Sequence, residues 1–284
     1  MVLGRATPLV TAIRPKQWSK NLLIFAAPVA SAELFANFKM LIIGFVGFIA
    51  ASIMGYLTND WIDKDYDRLH TKKRFRPFAS GELKRKHFVI LLFSSSFLTF
   101  LTCIYAGSRF SFMVFIYLAI TFSYSFFIKN IEVLEMFWLA LGFLIRALAG
   151  SVLVGIAPTG WFIVTIYFGS LFLTSCKRRS EKSRGPSVVT RKVLVRYSEF
   201  FLDSISATFA GVTAITYSLW VIQEHSGSYV AYGSIFPFFC ALTSYLLMST
   251  SGEAEEPESS IFTNKLVFSM GLIATVMLVW VFYR

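Results

Sequence analysis

Apolar runs long enough to cross a bilayer recur along the chain, separated by short polar connectors. A spanning helix needs roughly 20 mostly apolar residues. Nine stretches qualify: 22–38, 40–58, 88–106, 110–128, 133–154, 159–176, 201–222, 228–248 and 261–283. The pattern predicts an all-α fold, a polytopic bundle of nine transmembrane helices in a single integral membrane domain over 1–284. The first stretch is the least regular. It contains Pro28 and Glu33, and with Lys16, Lys20 and Val29-Ala30-Ser31-Ala32 it mimics a signal peptide. It counts as a span because the distribution of charge then falls into place.

Nine spans put the termini on opposite sides. With the N-terminus cytoplasmic, 23 of the 27 Lys and Arg fall in the N-terminal segment and the 2–3, 4–5, 6–7 and 8–9 loops. Lys39, Arg109 and Arg284 lie on the other side, and Arg146 lies within a span. That bias follows the positive-inside rule and predicts a multi-pass protein of the cell membrane. The 2–3 and 6–7 loops are long and cationic, and are expected to cap a cytoplasmic active site. Glu253, Glu255, Glu256 and Glu258 in the 8–9 loop read as a solvated charge run.

Composition narrows the class. Hydrophobic residues make up 56% of the 284 and charged residues 15%, where a soluble domain carries about 25% charged. Mean hydropathy is +0.63. A disordered chain, a soluble enzyme and a disulfide-stapled domain are excluded. The net charge of +11 is concentrated in the loops, and no nucleic-acid partner is expected. Cys103, Cys176 and Cys240 sit in or beside apolar runs without metal or redox spacing, and read as buried thiols.

The strongest chemical signal closes the second span: Asn59-Asp60-Trp61-Ile62-Asp63-Lys64-Asp65-Tyr66-Asp67. At 100° per residue, Asp60, Asp63 and Asp67 fall within about 60° of one another, Asn59 stands at the edge of that face, and Asp65 points away. Like charges on one face repel unless a cation sits between them, and acids at a helix C-terminus oppose the macrodipole. Oxygen-only ligands suit Mg²⁺, which binds one or two carboxylates and completes its shell with water and phosphate. The candidate metal set is therefore Asn59, Asp60, Asp63 and Asp67, the three acids being the candidate catalytic residues. The plainer reading is an interfacial helix end with solvated acids.

Cations follow in His70-Thr71-Lys72-Lys73-Arg74-Phe75-Arg76-Pro77. A carboxylate face followed by cations describes a diphosphate site, although topology alone would also supply them. After span six comes Lys177-Arg178-Arg179-Ser180-Glu181, with Lys177, Arg178 and Glu181 on one helical face. Lys177 and Glu181 could equally be a surface pair. In span five, Glu135, Gly142 and Arg146 share a face, and Arg146 lies about 16 Å along the helix from Glu135. A charge at that depth faces the bundle interior or a wet cavity, or is tied to a backbone carbonyl. Gly142 and Gly150 flank it and could permit close helix approach. Arg14, Gln17 and Lys20 crowd around Trp18 ahead of the first span, as phosphate ligands or as an interfacial belt. Tyr124, Ser125 and Lys129 close span four on the same side.

As an ordered set over residues 14–181 these motifs resemble the UbiA superfamily of intramembrane prenyltransferases, and within it the decaprenyl-phosphate phosphoribosyltransferase branch. The pieces that carry it are Arg14 to Asn21, Asn59 to Asp67, Lys73-Arg74-Phe75-Arg76-Pro77 with Ala79 and Gly81, Tyr124-Ser125 with Lys129, Gly142-Phe143 with Arg146 and Gly150, and Lys177-Arg178 with Glu181. Two positions depart from the family pattern. Thr71 stands where Pro is frequent after the His, and Glu135 stands where Asp is usual, moving that carboxylate by about one methylene.

The resemblance implies a UbiA-like bundle and a Mg²⁺-dependent glycosyl transfer. The Mg²⁺ complex of 5-phosphoribosyl 1-diphosphate would sit on Asp60, Asp63 and Asp67. A polyprenyl phosphate would attack the anomeric carbon and pyrophosphate would leave, giving a polyprenyl-phosphoryl-5-phosphoribose, an arabinan precursor. Substrate-binding candidates are Arg14, Gln17, Lys20, Asn59, Lys73, Arg74, Arg76, Tyr124, Lys129, Glu135, Arg146, Lys177, Arg178 and Glu181. Two alternatives stand beside it. An aromatic prenyltransferase of the same fold would be expected to carry a second Asp-rich motif after span six, where this chain has Lys177-Arg178-Arg179-Ser180-Glu181. A non-enzymatic lipid or anion carrier places charge at the midplane, where this chain has only Arg146.

Overall fold

The structure, a computed structural model, describes residues 7–71, 73–183 and 192–284. Arg5, Lys72, Arg184 and Arg191 of the basic clusters lie outside the described residues. Every regular element among the described residues is helical. Eight helices are long and apolar enough to cross a membrane: α1 (Phe38–Arg68), α2 (Arg85–Ala106), α3 (Ser108–Phe126), α4 (Leu134–Val154), α5 (Gly160–Ser183), α6 (Glu199–Glu224), α7 (Tyr229–Thr250) and α8 (Lys265–Phe282).

Successive helices pack side by side, and the segment before α1 touches both α4 and α8, which closes the bundle into a ring. Burial separates inner from outer helices. The apolar window of α1 is 56% buried and that of α8 only 11%. The outer helices turn large apolar side chains outward, as Phe93, Phe97, Phe100 and Ile104 do along α2. A stripe of that size facing water would be unfavourable, and it fits a lipid environment.

The expected first span, 22–38, is not a long α-helix. Its residues belong to an eleven-residue 3₁₀ helix, Pro15–Phe25, followed by a short α-helix, Ala26–Ala30, and turns up to α1. Pro28 lacks the N–H that an α-helix would aim at the carbonyl of Ile24. A Cβ on Gly150 of α4 would land on that same carbonyl oxygen, so glycine there admits the backbone of the segment. At about 2.0 Å per 3₁₀ residue and 1.5 Å per α residue, Pro15–Ala30 reaches roughly 30 Å, the thickness of a bilayer core. It runs from Arg14, beside Asp60 near the end of α1, to Ala27, packed in one cluster with Phe162 at the start of α5 and Trp220 near the end of α6. The leading segment thus runs the length of the bundle, but in a tighter helix than the expected span.

At three residues per turn, side chains three apart stack on one side. Arg14, Gln17, Lys20, Leu23 and Ala26 line the central cavity, with Ser19 and Leu22 at the edge of that face. Asn21, Ile24 and Ala27 are buried in the protein.

α1 determines where the acids go. Its 31 residues make a helix of about 46 Å, longer than the bilayer core is thick. It continues without a break to Arg68, so the segment from Asn59 onward keeps helical phase. Helix Lys192–Arg196 of the 6–7 loop lies against the start of α4, where Val193, Leu194 and Tyr197 pack on Met136. There Val133 is held at φ 62°, uncommon for a β-branched residue, and its N–H donates to the Tyr197 hydroxyl at 2.7 Å.

Candidate active site

The ring encloses a cavity of about 2150 Å³. Ordinary small-molecule sites take roughly 300–1,000 Å³, so this one has room for two substrates. One end is polar and ionic, carrying Asn59, Asp63, Asp67 and Lys177. The deeper wall is apolar, with Leu139, Phe143, Leu173 and Leu242.

On α1 the helical phase turns Asp60 and Asp67 onto one cation, while Asp63 is held apart by another. Arg76, from the loop after α1, donates one nitrogen to Asp60 at 3.0 Å and to Asp67 at 2.7 Å. Arg14 also donates to Asp60, and its guanidinium lies over the Tyr56 ring. Lys129 donates to Asp63 at 2.5 Å. Asp60 is buried beneath Arg14 and Arg76, while Asn59, Asp63 and Asp67 line the cavity. Asp65 is 69% exposed and pairs with Arg68.

Because Asp60 and Asp67 meet on a single cationic nitrogen, one cation can bridge them. Among the described residues no three acid, His or Cys side chains converge closely enough to enclose a metal. This oxygen-only pair fits a hard divalent cation that brings phosphate oxygens with it.

Across the cavity, α4 and α5 build the second cluster. Arg178 donates to both oxygens of Glu135, at 2.7 and 2.5 Å, and to Glu181 at 2.8 Å. The Tyr124 hydroxyl stands 3.5 Å from each of Glu135 and Arg178. Lys177, Arg178, Glu181 and Tyr124 line the cavity. Glu135 is fully buried behind them and does not line it. Its geometry is that of a residue that orients Arg178.

Deeper, Arg146 is held by neutral groups, with no carboxylate partner among the described residues. Its guanidinium donates to Asn21 Oδ1 at 2.8 Å, to the Gly142 carbonyl at 2.9 Å and to the Tyr117 hydroxyl at 2.7 Å. Ser52 links Asn21 and Tyr117, at 3.1 Å to each. Gly142 contributes this carbonyl. A Cβ there would meet nothing closer than 3.7 Å, so of the two glycines only Gly150 serves close approach.

Of the remaining expected residues, Gln17, Lys20 and Lys73 line the cavity. Arg74 does not; it is exposed and lies over the Phe75 ring. His70 lines the cavity as well. Burial, and then the nearby Lys73 charge, hold its imidazole below the ordinary value.

Tyr56 and Glu258 line the cavity although neither was among the expected site residues. Tyr56 lies on α1 one turn before Asp60, and the polar stripe Ser52, Tyr56, Asp60, Asp63 was the available signal. Glu258, from the short helix Pro257–Thr263, pairs with Lys20 at 3.4 Å. Glu255 and Glu256 join it on the cavity lining, so the acidic run faces the site.

Comparison with known proteins bears on this arrangement. Residues 22–269 match the UbiA prenyltransferase family. The chain is 32% identical to decaprenyl-phosphate phosphoribosyltransferase of Mycobacterium tuberculosis, over 94% of this chain and 92% of that protein. It is 32% identical to the protein of the same name from Corynebacterium glutamicum, over 98% and 85%. A UbiA homolog from Archaeoglobus fulgidus, solved bound to GPP and Mg²⁺, superposes with a TM-score of 0.69 at 17% identity, over 98% of this chain and 99% of that one. That likeness concerns the fold.

Proposed function

The chain belongs to the UbiA prenyltransferase family and is a multi-pass membrane protein, and from that premise we propose that it transfers 5-phosphoribose from 5-phosphoribosyl 1-diphosphate to a polyprenyl phosphate. The observation that carries this reading is the second cluster. Where an aromatic prenyltransferase would be expected to present a second set of carboxylates, this cavity presents Lys177 and Arg178, with Glu135 and Glu181 engaged by Arg178. One acid face and one cationic face suit a donor diphosphate and a second anion. The relatives named as phosphoribosyltransferases support it.

In this reading Asp60 and Asp67, with Asp63 and Asn59 beside them, hold the Mg²⁺ complex of the donor diphosphate. Bound Mg²⁺ supplies charge neutralisation for the departing pyrophosphate. Arg76 and Lys129, which pair with the acids in the structure, are within reach of the phosphates those acids would bind. Lys73, Lys177 and Arg178 neutralise the remaining phosphate charge. The acceptor phosphate is anionic at neutral pH and attacks the anomeric carbon without a general base. A bond forms between its oxygen and that carbon as the bond to the diphosphate breaks. The apolar wall takes the prenyl chain, and Arg146 faces its head group. The single membrane domain presents its polar end to the cytoplasm, with the loops after α1 and α5 as its cap.

The test supplies polyprenyl monophosphate labelled with ³²P, the donor and Mg²⁺. Retention of the label in a phosphoribosylated lipid supports the proposal. Use of a prenyl diphosphate, with release of lipid-derived pyrophosphate and no use of the monophosphate, overturns it.

A further inference from the structure

Resting on that reading, we propose that Glu258 recognises the sugar of the donor: its free carboxylate oxygen accepts a hydrogen bond from a ribose hydroxyl, with Tyr56 completing the subsite. The Glu258 side chain is 8% exposed and lines the cavity. Oε1 faces Lys20 Nζ at 3.4 Å. Oε2 is buried and has no hydrogen-bond partner among the described residues. A buried charged oxygen without a donor is costly, and the usual remedy is a ligand that provides one.

The chemistry of the two substrates selects that ligand. A carboxylate oxygen accepts and does not donate. Phosphate oxygens are themselves anionic acceptors and are repelled by it. A prenyl chain offers no polar hydrogen. Only the ribose hydroxyls can donate to Glu258. The Tyr56 hydroxyl is buried and likewise unpartnered among the described residues, and it lines the same cavity. It can donate to or accept from the sugar diol. Tyr56 stands one turn, about 6 Å along α1, from Asp60. The ribose is bonded directly to the diphosphate, so its hydroxyls fall beside the acid face that holds that diphosphate.

The arrangement gives the site a means of choice. A sugar diphosphate satisfies Oε2, and a prenyl diphosphate buries it against hydrocarbon. A site built to hydrogen-bond a hydroxyl discriminates strongly against ligands that lack one.

The experiment uses the full chain in lipid nanodiscs with Mg²⁺. Competition against labelled donor measures the affinities of 5-phosphoribosyl 1-diphosphate, its 2-deoxy and 3-deoxy analogues, and pyrophosphate. The native protein is expected to bind the ribosyl donor about tenfold or more tightly than at least one deoxy analogue. In Glu258→Ala that preference falls to within twofold, with Glu258→Gln in between, and pyrophosphate affinity holds, which also reports an intact fold. Three outcomes overturn the proposal: a native protein indifferent to both hydroxyls, a variant that weakens ribosyl and deoxyribosyl donors alike, or a variant whose main loss is affinity for Mn²⁺, which would make Glu258 a cation ligand. Each leaves native phosphoribosyl transfer intact. Failure of the transferase reading shows differently, as no binding or turnover of any phosphoribosyl donor by the native chain.

Discussion

Arg178 and Glu135 form a two-point ion pair between side chains 1% and 0% exposed, Nε to Oε1 at 2.7 Å and Nη2 to Oε2 at 2.5 Å. The carboxylate fixes the plane of a guanidinium whose other edge reaches the cavity. Removing it leaves a buried cation with Glu181 as its one remaining carboxylate among the described residues. Glu135→Ala is expected to cost about 3–5 kcal/mol of stability, measured by denaturation in detergent. Exchanging both partners for apolar residues, Glu135→Leu with Arg178→Met, restores most of that stability and abolishes transfer. Transfer within threefold of native in the double variant would remove Arg178 from the reaction.

The acid face predicts unequal responses along one helix. Asp60→Asn and Asp63→Asn should each lower transfer of labelled phosphoribose at least 100-fold, of the order expected when transition-state charge loses its counter-charge. Asp65→Asn, an exposed residue paired only with Arg68, should stay within about twofold. Similar losses at all three positions would mean that the face is not the unit of function.

Two glycines on α4 should behave differently. Gly150→Ala drives a methyl into the carbonyl of Ile24 and displaces the 3₁₀ segment, with a loss of about 1–3 kcal/mol, read as a lower melting temperature. Gly142→Ala meets only ordinary contacts and should melt close to the native protein. A reversed order would show that α4 and the 3₁₀ segment are not in direct backbone contact.

The 3₁₀ segment makes a positional prediction. In a background without the three native cysteines, single cysteines at positions 17, 20 and 23 should react with a small charged thiol reagent entering the cavity. Those at 21, 24 and 27 should be protected. Protection repeating every three to four residues in place of every three would indicate an α-helix there.

Much of this was legible in the sequence, for specific reasons. α1 runs unbroken through the acidic motif, so rotation by 100° per residue put Asp60 and Asp67 on one cation and Asp65 outside, with Asp63 on Lys129. The eight long helices follow from hydropathy alone. What stayed hidden depends on contact between distant segments. The Glu135–Arg178 pair spans 43 residues and exists because α4 packs on α5. Arg74 shares a basic run with Arg76, yet the short 3₁₀ turn Lys73–Phe75 sends it outward. Glu258 sits in an acidic stretch that reads as solvated, and only the fold carries it to Lys20. The leading segment misled because hydropathy reports length and apolarity, not helix type.

The tight winding of Pro15–Phe25 bears on which changes in length the chain can tolerate. With three residues per turn, inserting or deleting one residue rotates everything beyond it by about 120°. Inserting one residue ahead of Lys20 would bring Ser19 into the cavity position and turn the lysine into the buried place of Asn21, against α1 and α4. The Arg146 network would lose its amide acceptor in the same step. A substitution in this stretch alters one contact, whereas a single-residue indel exchanges a whole face. Related chains should therefore vary in residue identity here far more freely than in length, and where length does change it should change by three.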